Sequence, residues 1–428
     1  MGCKISKQFT LKQGKEEYLM LTADFGSLQM RLTTQDTSLN PSTFGECDPG
    51  LYNIYRSDTE CPDAHSNTGR IVFVDSVGGQ LYIFSLENGQ TLKLYQDVNI
   101  PNLKKKSQQV ACGDILDGSK VISISHRSMT TKEFKSFTKD AYIDKWNDKR
   151  FAGWRRVSKT VNFGVLFGCS APTLAKQLEN AGYKPSEAME YLELTDNLTF
   201  YNQLLKSKMG KMKPEKVQIL AAATLMLEAY YKGFPGVKER AAREADFAWK
   251  NGYVRCWHGP VRPLAELRYM KRNKDGNVMG ADQKMWSGMV SNLKNDAGNT
   301  PIQCMEANIA IKTIINAARY AKEWKLKSFI WNMVHDSEDW CVYKPELNLV
   351  CALLNACSTW KREPHRGVDM CMDFEICDPA QGHEKNMYHG GLENPFKVDD
   401  IQTAIDKWNT QNAGKIGFTP IKWHGCTV

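Results

Sequence analysis

Hydrophobic and polar positions divide this chain into stretches of different character. Residues 16–34, EEYLMLTADFGSLQMRLTT, read as a strand, a turn and a helix. Leu19, Leu21 and Ala23 alternate toward Asp24, which the pattern places at the strand's end. Residues 36–66 are rich in turn formers, with Pro41, Pro49, Gly50 and Pro62. Residues 70–95 carry β-branched and aromatic runs broken by Gly78-Gly79 and Asn88-Gly89, both hairpin signals. With ILDGSKVISIS and its Asp117-Gly118, they predict a small independent β unit over 67–127. From 130 to 250 the periodicity is helical, as in KVQILAAATLMLEAYYKGF. Residues 252–270 turn strand-like around Gly252, Gly259 and Pro260, and a helix is expected over 301–325. SFIWNMVHDSEDWCVY, residues 328–343, predicts two strands around a polar turn at His335-Asp336-Ser337-Glu338. The fold class is therefore α+β.

One helical stretch departs from ordinary amphipathicity. In RRVSKTVNFGVLFG, residues 155–168, Arg155, Lys159, Phe163 and Phe167 recur every fourth residue. Each such step turns a helix by about 400°, so the four side chains form one slowly drifting stripe of two cations and two rings. That surface suits a triphosphate and a stacked base; it also suits a plain mixed helix. Gly164 and Gly168 weaken a helix unless something needs close approach.

The remaining composition narrows the picture only a little. A chain of 428 residues, 42% hydrophobic and 24% charged, accommodates two or three compact units with sizeable cores. The net charge of +8 favours an anionic partner without requiring one. Lys104-Lys105-Lys106 suits either a solvated loop or a phosphate backbone. The 13 cysteines are scattered with no C-x-x-C pair, as expected in a reducing cytosol, and Cys47, Cys61 and His65 are too loosely spaced for zinc. No apolar run approaches the length of a membrane span, so no membrane partner is expected. The opening MGCKIS fits the short myristoylation pattern, which arises readily by chance.

Two aspartates, Asp24 and Asp336, fall at predicted strand ends far apart in sequence. Carboxylates brought together at a sheet edge are the simplest way to hold two Mg²⁺ ions. Two such ions activate an attacking hydroxyl and stabilise the leaving oxygen of a phosphoryl displacement. Either aspartate alone would suit a turn or a cap.

At this point the residues resemble a known family, the polymerase module of family A DNA polymerases (the DNA polymerase I family). ADFGSLQMRL, residues 23–32, resembles the family's D-Y-S-Q-I-E-L-R; RRVSKTVNFGVLFG resembles R-x-x-x-K-x-x-x-F/Y-x-x-x-Y-G; VHDSED, residues 334–339, resembles V-H-D-E. Between them, GFPGVKERA with GPVRPLAEL, and NTPIQCMEANI at 299–309, resemble two further family segments in the expected order. The resemblance covers most of residues 5–45 and 140–380.

The resemblance implies a right-hand polymerase palm with an antiparallel sheet and helical fingers; the β unit at 67–127 is then a β-rich insertion, and thumb and exonuclease are not expected in this sequence. It assigns 1–35 to the palm, 36–66 to the fingers, 67–127 to the insertion, 128–251 to the fingers, and 252–428 to the rest of the palm and a C-terminal tail. It implies template-directed addition of dNTPs to a primer 3′ end with two Mg²⁺ ions. Asp24, Asp336 and the Phe25 carbonyl would hold the metals. Arg155 and Lys159 would hold the dNTP phosphates, with Lys159 protonating the leaving pyrophosphate. Phe163 would stack on the incoming nucleotide and Phe167 would lie near the templating base. Asp63-Ala64-His65-Ser66 resembles the family's D-I-H-T, making His65 another triphosphate contact. Arg262, Asn299, Gln303 and His335 would face the primer–template, where minor-groove acceptors look alike for every correct pair.

The chain also departs from the pattern. Gln29 stands where the family has the Glu that excludes the ribose 2′-OH, and Phe167 where it has a Tyr able to bond that Glu. Ser337 replaces the Glu of H-D-E, and Glu338, one residue on, is expected on the opposite strand face. H-D-S also occurs in single-subunit RNA polymerases, so an RNA-synthesising or primase-like enzyme is the alternative, and a non-catalytic DNA-binding subunit is another. Asp24 lies close to the start of the sequence and the stretch to Arg155 is longer than the family uses. The first feature suggests part of a split polymerase of bacteriophage type, acting in the host cytoplasm, with a second polypeptide supplying thumb and exonuclease; the β unit at 67–127 accounts for the second.

Overall fold

The alternation at the front of the chain forms a strand that pairs on both sides within an antiparallel sheet. The computed structural model describes residues 18–37, 48–55, 63–96, 121–139, 150–256, 260–269, 283–359, 368, 370, 372–377 and 398–426. Contacts divide the chain into two compact units. One comprises Met1–Gln35, Val254–Arg262 and Thr300–Val428; the other comprises Asp36–Tyr253 and Pro263–Asn299. Its sheets are antiparallel and its helices numerous, an α+β fold.

In the first unit, strand β1 (Tyr18–Phe25) is central. The second unit holds β2 (Gln80–Leu86), β3 (Thr91–Gln96) and β4 (Val121–Arg127). Short strands β5 (Tyr253–Arg255) and β6 (Val261–Pro263) pair with each other, and β7 (Phe329–Val334), β8 (Ser337–Tyr343) and β9 (Met372–Cys377) return to the first unit. The four-stranded sheet runs β7-β8-β1-β9. Leu21 of β1 lies opposite Trp340 of β8, and both are fully buried. Truncating such a side chain to alanine costs about 2–5 kcal/mol, which is how alternation fixes the register. Ile302, Met305, Ile309, Ala317 and Tyr320, at helical spacing on the helix Gln283–Glu323, join the same core.

In the second unit the sheet order is β3-β2-β4. Leu81 and Tyr95 of this sheet share a core with Phe134 and Phe151 from the helices Thr131–Lys139 and Arg150–Leu166. Tyr95 and Phe151 meet edge to face at 5.1 Å between centroids. A buried ion pair stiffens this unit. Arg240 Nε donates to Asp36 Oδ2 at 2.6 Å, its Nη2 donates to the Gly298 carbonyl, and Arg240 is 3% exposed.

Three expectations of local structure need correction. RIVFVD, read as a strand, is a π-helical continuation (Arg70–Asp75) of the helix Ala64–Gly69. Val72, Phe73 and Val74 are consecutively buried, and a short apolar run carries no periodicity that separates strand from helix. Gly78, with φ of 68°, therefore ends this helix and opens no hairpin, whereas Gly89, at 79°, does turn β2 into β3. The helix expected to start at Pro301 begins at Gln283, with Pro301 inside it. The turn between β7 and β8 holds only His335 and Asp336; Ser337 and Glu338 belong to β8. Lys104–Lys106 and Asp117-Gly118 lie outside the described residues.

Candidate active-site residues

In the first unit, strand register gathers acids at one sheet edge. Asp24 ends the alternation of β1 and is exposed, while its neighbours Ala23 and Phe25 point into the core. It pairs with Ser337 on β8 and with Asp373 on β9. Asp336 immediately precedes Ser337, so the two predicted aspartates share this edge. The preceding residue, His335, takes a left-handed φ of 58°, which closes the hairpin in two residues. Asp336 is half-buried; burial pushes its carboxyl above the usual range, against its own backbone N–H and His335. Phe25, whose carbonyl was assigned to the metals, ends β1 opposite Met372.

Asp373, opposite Asp24, is exposed, whereas Asp339 and Glu338 are tied into structure. Thr22 Oγ1 donates to Asp339 Oδ1 at 2.8 Å. Glu338 is fully buried and accepts from Trp340 Nε1 at 3.2 Å, on the face away from the edge, as the strand alternation requires. Gln29, on the helix Leu28–Asp36, has a partner that sequence gave no reason to expect. Its Nε2 donates to both carboxylate oxygens of Glu306, at 2.8 and 3.1 Å.

In the second unit the cationic helix Arg150–Leu166 buries Phe151, Val157, Val161 and Val165. Lys159, Phe163 and Phe167 are exposed and Arg155 is half-buried, so the predicted stripe is one surface. Phe167 lies just past the helix end, where its N–H donates to the Phe163 carbonyl. Gly168 follows with φ of 67°, and a Cβ there would stand 2.7 Å from Asn295 Oδ1. The left-handed turn therefore favours glycine here, and the Asn295 side chain packs close against it.

Around Arg155 and Lys159 a buried polar network forms. Asp63 caps the helix Ala64–Gly69 by accepting from the Ser66 N–H, and accepts from Arg155 Nη2 at 2.9 Å. Burial pushes the Asp63 carboxyl up, but the Ser66 N–H, Arg155 and Lys135 outweigh it and hold it at about 2. Arg155 Nε also donates to Ser66 Oγ at 3.2 Å. The Thr68 hydroxyl donates to Asn162 Oδ1 at 2.8 Å, which turns the Asn162 amide N–H toward His65 Nδ1, also at 2.8 Å. His65 Nδ1 is thus an acceptor, and the ring proton sits on Nε2. Burial depresses the His65 pKa to about 4, with Asp63 opposing and Arg155 and Lys159 assisting. The His65 ring lies 5.8 Å from that of Phe163, and Lys159 Nζ lies 6.0 Å over the same Phe163 ring. A neutral N–H donor, two cations and an exposed ring are a chemistry for an aromatic phosphate ester.

The predicted nucleic-acid contacts are distributed. Arg262 is exposed and its Nη1 donates to Thr300 Oγ1 at 2.9 Å. Asn299 Nδ2 donates to the Phe167 carbonyl at 3.2 Å, while Gln303 and His335 are exposed. Sequence reasoning missed Asn162 and Glu306. Only the pairing geometry reveals them, since an Asn or Glu on a helix has no distinctive pattern. A cavity of about 930 Å³ in the second unit, lined by Asn67, Arg70, Asp75, Thr131, Lys132 and Lys232 among others, includes none of the predicted site residues.

Among the described residues no cluster of three or more His, Cys, Asp or Glu is arranged to hold a metal ion. The acidic edge nonetheless suits Mg²⁺, a hard cation that one or two carboxylates hold together with substrate phosphates and water. No helix among the described residues is long and apolar enough to cross a membrane.

No family model matches the chain. It is 26% identical to DNA polymerase I of Bacillus caldotenax over 200 residues, covering 47% of this chain and 17% of that protein. It is 25% identical to DNA polymerase I of Geobacillus stearothermophilus over 203 residues, again 47% and 17%. It is 26% identical to DNA polymerase I of Chloroflexus aurantiacus over 182 residues, 42% of this chain and 14% of that one. Among solved structures, the POL domain of Pol1 from M. smegmatis, in complex with DNA primer-template and dNTP, superposes with a TM-score of 0.47 and 18% identity, covering 85% of this chain and 40% of that one. The match thus spans about a sixth of the length of these relatives, and over just under half of its own length the chain is similar, at a distance, to DNA polymerase I.

Proposed function

We propose that the chain is a DNA-directed DNA polymerase subunit that adds dNTPs to a primer 3′ end. The observation that supports this reading best is the register of β1 against β8, which sets Asp24 beside the residue following Asp336. In the reaction the primer 3′-OH loses its proton to water as its oxygen bonds to the α-phosphorus, the bond from that phosphorus to the bridging oxygen breaks, and pyrophosphate leaves with a proton from Lys159, which solvent restores. Asp24, Asp336 and the Phe25 carbonyl are assigned to Mg²⁺, which when bound acidifies the 3′-OH and neutralises charge on the transferring phosphorus. Arg155 and Lys159 are assigned to the triphosphate, whose developing charge they offset, and Lys159 to the leaving group's proton. His65, neutral and carrying its proton on Nε2, donates to a phosphate oxygen without adding charge. Phe163 offers an exposed face on which base or sugar packs. Arg262, Asn299, Gln303 and His335 are assigned to the primer–template.

Primer extension on a primed template tests this. The wild-type chain, in whatever assembly it purifies, should incorporate dNTPs in preference to rNTPs. Asp336→Ala should abolish extension while leaving DNA binding within a few-fold, and Lys159→Ala should slow it by about 100-fold or more, the contribution of a positioned proton donor. Unchanged extension by Asp336→Ala would overturn the assignment. Comparing the isolated chain with its native assembly reads out the role of a second polypeptide.

A further inference from the structure

The side chain of Gln29 is pinned, and the pin is a carboxylate. An ionised carboxylate only accepts hydrogen bonds, so the contacts from Nε2 to both Glu306 oxygens orient the Gln29 amide, with Nε2 toward Glu306 and Oε1 away from it. Both residues belong to the first unit, Gln29 on the helix that follows β1 and Glu306 on the helix Gln283–Glu323. The pair adjoins the acidic edge. Gln29 lies five residues beyond Asp24, and Glu306 is close enough to Asp336 and His335 for both charges to act on it. Burial pushes the Glu306 carboxyl up; the Gln29 amide pulls it down, Asp336 pushes it up and His335 pulls it down.

A free glutamine has three rotatable side-chain bonds and swings away from an added atom; a doubly bonded one is a wall. Resting on the polymerase reading above, a nucleotide whose α-phosphate lies at Asp24 and Asp336 brings its sugar, one ester bond away, alongside this wall. We infer that Glu306 is a positioning residue for sugar selection, holding the Gln29 side chain in place so that it discriminates a ribonucleotide from a deoxyribonucleotide. The partner comes from the same unit as Gln29, so the wall is set before any nucleotide binds.

The test is the ratio of kcat/KM for dCTP to that for CTP, measured with the full chain in its native assembly on one primed template. Glu306→Ala should lower the ratio by about tenfold, the factor corresponding to about 1.4 kcal/mol, with dCTP use changed little. Glu306→Gln, which still accepts one Nε2 hydrogen through its amide oxygen, should restore most of it. Gln29→Ala should lower the ratio, and adding Glu306→Ala to it should lower it no further, because Glu306 acts through Gln29. If Glu306→Ala melts below the assay temperature, Glu306→Asp, which withdraws the carboxylate by one methylene, should lower the ratio in the same direction. An unchanged ratio in the folded Glu306 variants, with dCTP still incorporated, overturns this inference and leaves the polymerase reading standing. Failure of the wild-type assembly to incorporate either nucleotide overturns the polymerase reading itself.

Discussion

Acidification should reveal the His65 network before any substrate is involved. The ring's pKa is depressed from 6.5 to about 4 by burial, with Arg155 and Lys159 helping. Between those values the unfolded chain binds a proton that the folded chain refuses, so stability rises with pH across the window. The contribution is fully present above about pH 6.5 and is lost as pH falls toward 4. A shift of this size corresponds to at most about 3 kcal/mol, and the ring's partial exposure to solvent reduces it. Asp63 extends the acid loss in the same direction. Its carboxyl is held at about 2 against an ordinary 3.8, so its contribution is present above 3.8 and disappears below. Nitrogen-edited NMR of the histidine rings reads both predictions. His65 should stay neutral at pH 5.5 with its proton on Nε2, and Asn162→Ala should raise its midpoint, since the lost amide donor stabilises only the neutral ring. A His65 midpoint near 6.5, or a proton on Nδ1, would refute the hydrogen-bond chain from Thr68 through Asn162.

Two further predictions concern stability. Arg240→Ala removes the guanidinium that donates to buried Asp36 at 2.6 Å and leaves it Arg243 at 3.6 Å, so it should cost about 2–4 kcal/mol in urea unfolding at pH 7, below the cost of a wholly uncompensated buried charge; a loss under about 1 kcal/mol would mean that the pair is solvated. Asp336→Asn removes a carboxyl that burial disfavours in its charged form, so it should raise the thermal midpoint at pH 7 while ending nucleotide addition, and a lowered midpoint would contradict the strained-acid account.

How much of this was legible in the sequence depends on how local each signal is. The alternation ending at Asp24 and the two apolar runs around His335-Asp336 gave three of the four strands of the acidic sheet, because a half-buried strand writes its period directly into the chain. Spacing by four also placed Lys159, Phe163 and Phe167 on one exposed surface. RIVFVD misled because its run is buried throughout, leaving no period to read. The start of the helix at Gln283 was hidden by Pro301, a residue that usually opens helices and here sits inside one. Glu306 and Asn162 were invisible for a different reason. Their partners, Gln29 and His65, are 277 and 97 residues away in sequence, and nothing local announces a long-range hydrogen bond.

The central claim is that Asp24 and Asp336 hold the divalent cations of a nucleotidyl transfer. Electron paramagnetic resonance of Mn²⁺, titrated into the full chain with primed DNA and a non-reacting dNTP analogue, tests it most directly. The account predicts two bound ions in the wild type, with occupancy lost in Asp24→Asn and in Asp336→Asn while the DNA stays bound. Mn²⁺ binding that is the same in both variants as in the wild type would contradict it.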